Sequence, residues 1–81
     1  MKLRRLAINE EGFIFDPETG NSYTVNETGL FILEKLRQGL SPEEIARLLS
    51  QEYDISPEEA RRDLEDFLEV LVRYGLWKEP K

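Results

Sequence analysis

The chain has no cysteine and no histidine among its 81 residues. That excludes a disulfide frame, a thiolate nucleophile, a Cys/His zinc site and a histidine general base. Its five glycines are scattered, so no phosphate-cradling loop is present. No apolar run approaches the roughly 18 residues of a membrane-spanning helix. Residues 1–8 carry charge but no apolar stretch, unlike a secretory signal. The expected setting is therefore cytoplasmic, without a membrane. Positive charge is also scarce: the net charge is −6, and no segment forms a basic tail or stripe. Duplex binding draws on neutralised phosphates, so nucleic acid is not an expected partner.

What remains is one domain's worth of chain, residues 1–81, organised around a single joint. Tyr23, Thr24 and Val25 are β-branched or aromatic and suit a pleated, half-buried surface. Asn26 follows as a helix N-cap. Val25 and Leu30 fall at the two positions of a hydrophobic staple. The text before this joint reads as sheet and the text after it as helix.

The sheet half predicts three antiparallel strands, at residues 3–8, 13–16 and 21–25. In the first, Leu6 and Ile8 share one face, opposite Arg5 and Ala7. The second is expected to turn Phe13 and Phe15 to the core, and the third Tyr23 and Val25. Turn residues separate them, Gly12 in one connection and Asp16, Pro17 and Gly20 in the other.

The helical half predicts helices at 27–38, 42–52 and 57–74. Gly39 and Gly75 stop the first and third. The second and third open with the same signal, Ser41-Pro42-Glu43-Glu44 and Ser56-Pro57-Glu58-Glu59. Three strands followed by three helices give an α+β, winged-helix-like fold.

Catalysis finds little support in the side chains. The carboxylates along the third helix alternate with arginines on its wet side and read as a solvated face, favoured near a helix N-terminus. The serines have no base available. The chain is thus expected to be no enzyme and to need no cofactor or metal. A winged-helix regulator is the alternative, with Arg61 and Arg62 early in the third helix where base contacts would fall. Glu58, Glu59, Asp63, Glu65, Asp66 and Glu69 surround that pair, and any groove would press them against phosphate.

A third feature is geometric. The apolar positions of the third helix span an arc of roughly 200°, where one core needs about 100°. Neighbouring helices could cover both flanks. Otherwise one flank, Leu64, Leu68 and Val72 with Arg61 at its rim, lines a groove against an open edge of the third strand. An extended peptide could add there as a further strand. The same edge invites self-pairing, so a monomer or weak homodimer is expected.

The joint Tyr23-Thr24-Val25-Asn26-Glu27-Thr28-Gly29 resembles the PqqD-like family. So do Asp16-Pro17 before a turn, Gly39, Ser41-Pro42-Glu43-Glu44-Ile45 and the final run into Tyr74-Gly75-Leu76. The resemblance covers residues 13–77. It implies a RiPP recognition element, a domain that binds the leader of a ribosomally made precursor peptide. Such a domain presents the leader to a modifying enzyme, commonly a radical SAM protein, as in pyrroloquinoline quinone (PQQ) biosynthesis. By this resemblance the leader docks between third strand and third helix. The implied contacts are Ser22, Tyr23, Thr24 and Val25 with Arg61, Leu64, Leu68 and Val72.

Overall fold

The structure, a computed structural model, describes residues 2–78. A 3-10 turn, Lys2–Arg5, leads into β1, Ala7–Ile8. Strands β2, Phe13–Phe15, and β3, Ser22–Thr24, complete an antiparallel sheet in the order β1-β2-β3. Helices α1, Glu27–Arg37, α2, Pro42–Tyr53, and α3, Pro57–Arg73, follow. The α+β class and the order of elements match the reading of the sequence. Among the described residues no helix is long and apolar enough to cross a membrane.

Two expectations about the sheet need correction. The first concerns residues 3–8, of which only 7 and 8 pair as strand. Leu3 and Leu6 are both buried, 0% and 3% exposed. In a strand, residues three apart point to opposite faces, so only one of the two could reach the core. In a 3-10 turn they eclipse, and Leu6 N–H donates to the Leu3 carbonyl at 3.4 Å. Burial of two leucines thus overrides the alternation of Leu6 and Ile8.

The second concerns β2. Phe13 and Phe15 were expected inside but are 56% and 45% exposed, while Ile14 between them is 2% exposed. Register explains the reversal. Ile14 lies opposite Ile8 and Tyr23, whereas the phenylalanines lie opposite Ala7, Ser22 and Thr24. Cross-strand partners share a face, and the face with Ile8 and Tyr23 is the more apolar one. Two aromatic rings therefore remain on the outer face.

The connections are tightly specified. Asn9 Oδ1 accepts from the N–H groups of Glu11 and Phe13, both at 3.0 Å. At Gly12, with φ +94°, a Cβ would come within 2.3 Å of the Val25 carbonyl oxygen. Val25 N–H donates to the Gly12 carbonyl at 2.9 Å, closing β3 onto this turn. Only glycine fits there.

Each helix starts on a side-chain cap, as the sequence predicts. Asn26 Oδ1 accepts from Gly29 N–H at 2.8 Å. Ser41 Oγ accepts from Glu44 N–H at 3.2 Å, and Glu44 returns the bond by accepting from Ser41 N–H at 3.0 Å. Ser56 Oγ accepts from Glu59 N–H at 3.1 Å. Each helix also ends on a bond spanning five residues back, from Leu40 to Lys35, Ile55 to Ser50 and Leu76 to Leu71. That is the Schellman pattern. Asp54, at φ +53°, takes the left-handed position where the other two helices use glycine.

The core fills the space between the inner sheet face and the helices. Ile32 and Leu33 of α1, Ile45 and Leu49 of α2, and Ala60 and Leu64 of α3 are all at most 2% exposed. Leu76 is buried and half-buried Trp77 packs against this core beyond α3. Arg5 and Glu18 form an exposed ion pair at 2.6 Å, joining the 3-10 turn to the β2–β3 connection.

Candidate functional site

Strand β3 pairs with β2 on one side only, which leaves its other edge open among the described residues. Antiparallel pairs alternate between those that exchange both main-chain bonds and those that exchange none. Val25 N–H bonds the Gly12 carbonyl, and Asp16 N–H bonds the Asn21 carbonyl. These flanking bonds fix the phase. Tyr23 turns its N–H and carbonyl toward Ile14, its partner in β2. Ser22 and Thr24 turn theirs outward, to the open edge.

Helix α3 runs alongside this strand in the opposite direction. Near the strand's end, a Cβ on Gly29 would lie 2.9 Å from Phe67 and 3.1 Å from Val25. Farther back, the rings of Tyr23 and Tyr74 sit 5.0 Å apart. Between α1 and α3 opens a cleft of about 350 Å³. Its lining includes Asn26 and Thr28 on one rim, Asp63 and Asp66 on the other, and Ile32, Phe67 and Val70 beneath.

The sequence-predicted residues divide between two places. Ser22, Tyr23, Thr24 and Val25 form or follow the open edge, with Ser22 and Thr24 exposed and Tyr23 and Val25 half-buried. Arg61, Leu64, Leu68 and Val72 lie on the other side of α3. Leu64 and Leu68 are 2% and 8% exposed. With Arg61, Trp77 and the start of α2 they line a separate cavity of about 410 Å³. Val72, 48% exposed, borders a third hollow with Glu65, Glu69 and Trp77. No β3 residue lines these two cavities or the cleft, but the cleft starts at Asn26 and Gly29, just past the strand's end.

The structure therefore sets the α3 residues of the expected groove apart from β3. Both ends of the wide apolar arc exist, but the end on the β3 side holds Phe67 and Val70, with Tyr74 just beyond it against Tyr23. The core takes Leu64 and Leu68 because they project at α2. Two residues carried a signal for this. Tyr74 follows Phe67 by seven positions, which puts both on one helix face. Gly29, inside a helical pattern, marks a close approach, and the residue approaching it is Phe67.

Fold and cleft together define an α+β domain whose open strand edge is backed by a helix. Residues 11–76 match the family described as coenzyme PQQ synthesis protein D (PqqD), and the chain belongs to that family. Two solved structures are similar to it. One is a lasso peptide synthetase B1 complexed with the leader peptide, 28% identical, with a TM-score of 0.76 over 88% of this chain and 85% of that one. The other is TbiB1 in complex with the TbiA(beta) leader peptide, 27% identical, with a TM-score of 0.82 over 94% and 90%. No curated relative matches the sequence.

Proposed function

We propose that this protein binds the leader segment of a ribosomally made precursor peptide and presents it to a modifying enzyme. The leader adds as a strand to the open edge of β3, taking main-chain bonds from Ser22 and Thr24. Alternate leader side chains then face Phe67 and Val70 of α3 and Tyr74 just past it. The observation that carries this reading is the outward-turned pair Ser22 and Thr24 on the open edge of β3, with the α1–α3 cleft opening just past the strand's end. Membership of the PqqD family supports it, as do two similar structures that are themselves leader-peptide complexes. The role is that of an adaptor without a reaction of its own. Its enzyme partner is a radical SAM maturase or another leader-dependent enzyme, in the assembly of PQQ or of another modified peptide.

The DNA-binding alternative fits less well. The exposed length of α3 carries Asp63, Asp66, Glu65 and Glu69, which would meet phosphate in any groove.

An NMR titration of labelled protein with the leader encoded beside its gene tests the proposal. Shift changes should concentrate at Ser22, Tyr23 and Thr24 and along Phe67, Val70 and Tyr74. Changes centred instead on Arg61, Val72 and Trp77 would move the site to the far side of α3. No binding to that leader, together with salt-sensitive binding to the operon's own promoter, would favour the regulator.

A further inference from the structure

We infer that the segment docked on β3, where it runs past Val25 into the α1–α3 cleft, carries a lysine or arginine two positions from an apolar residue. The cation lies over Asp63 and Asp66 and the apolar side chain over Phe67 and Val70. This rests on the strand-addition reading and specifies the sequence that the same site selects.

The cleft is divided chemically along its length. Its floor is apolar, with Ile32 only 1% exposed and Phe67 and Val70 half-buried. Its outer rim holds two carboxylates, Asp63 and Asp66, one helical turn apart and both exposed. The facing rim, Asn26 and Thr28, is polar and uncharged. Among the described residues no cation lines this cleft; Arg61 lines the cavity on the other side of α3. An acidic ligand side chain would meet two like charges here, and an uncharged one would gain nothing from them. A cation is the complementary occupant.

Spacing argues for the pattern. Asp63 precedes Phe67 by four residues, and Asp66 precedes Val70 by four. At the helical rise that is about 6 Å along the cleft. Alternate residues of an extended strand share a face at a repeat of about 6.7 Å. One strand can therefore place a charge on the rim and an apolar side chain on the floor with a single residue between them. Gly29 lets α1 and Phe67 meet closely at the floor, since even a methyl group there would lie 2.9 Å from Phe67.

The test uses the full chain as bait for a displayed library of random dodecapeptides. Enriched peptides should share Lys or Arg two positions from Leu, Ile, Val or Phe, in either order. A synthetic winner should lose about three- to ten-fold in affinity when its cation becomes Glu. The double variant Asp63→Lys with Asp66→Lys should reverse the preference to Glu or Asp while its circular dichroism stays unchanged. Arg61→Glu should leave the preference as it is. Enrichment of acidic or uncharged residues by the natural chain would overturn the inference and leave strand addition standing. So would a preference that survives the double reversal. Failure to enrich any peptide would overturn both.

Discussion

Tyr23 in the middle of β3 and Tyr74 just past α3 hold their rings 5.0 Å apart at an interplanar angle of 31°. Strand edge and helix end are thereby tied together, although 50 residues of chain separate them. An aromatic pair of this kind contributes about 0.5–1.5 kcal/mol beyond its buried area. Tyr74→Ala should lower stability to urea by about that amount. It should also weaken leader binding, because the α3 wall would no longer be held against the strand. Paired urea melts and titrations measure the two losses.

The phase of the β3 ladder predicts an asymmetric response to proline. Thr24→Pro removes an N–H that points to the open edge, where the β2 ladder does not use it. Folding should survive, and leader affinity should fall by the one lost main-chain bond, about 0.5–1.5 kcal/mol. Tyr23→Pro removes an N–H that bonds β2 and should destabilise the sheet itself. Thr24→Ala, which keeps the N–H, should bind nearly as well as the natural chain. Equal losses from Thr24→Pro and Thr24→Ala in calorimetry would refute the assigned phase.

Gly29 sits where propensity and packing disagree. Alanine in a helix is favoured over glycine by about 1 kcal/mol. Here its Cβ would lie 2.9 Å from Phe67, 3.1 Å from Val25 and 3.3 Å from the capping oxygen of Asn26. Overpacking of this kind costs about 1–3 kcal/mol, so Gly29→Ala should be destabilising on balance. The shifted Phe67 ring should also appear in the aromatic NMR signals.

Acid should loosen the start of α2. Bonds from the Ser41 backbone N–H, and then from its hydroxyl, hold the Glu44 carboxyl below its usual range. A carboxyl with a depressed folded-state value stabilises fully above its unfolded value and loses that contribution as pH falls through the folded one. The contribution is thus present at neutral pH and lost in acid. Glu44→Gln should flatten this part of the stability profile between neutral and acidic pH, measured by thermal melts across that range.

The sequence made the local structure legible. Asn26, Ser41 and Ser56 start helices through bonds to residues three positions away, and Gly39 and Gly75 end two of them. Such signals need no knowledge of the rest of the chain. The open edge was legible too, since a meander that runs straight into a helix leaves its last strand unpaired on one side. The side of α3 that faces this edge was not. Its apolar arc is wide enough to serve two neighbours, and only the placement of Gly29 and Tyr23 decides between them. The orientation of β2 failed for a related reason. Phe13 and Phe15 are individually the more apolar pair, but a strand turns as a unit with its partners. Ile8 and Tyr23 on either side settle the matter in favour of Ile14.

Strand β3 is three residues long, and that brevity bears on residence time. Ser22 and Thr24 offer at most about four main-chain groups, each bond worth about 0.5–1.5 kcal/mol net. Protein associations of ordinary speed proceed at about 10⁵–10⁷ M⁻¹s⁻¹. A micromolar complex at such rates lasts on the order of a tenth of a second to ten seconds. A longer edge would lengthen that lifetime and slow the handover of each leader. In the proposed role, delivering one peptide after another to an enzyme, such a protein is served by an edge that lets go.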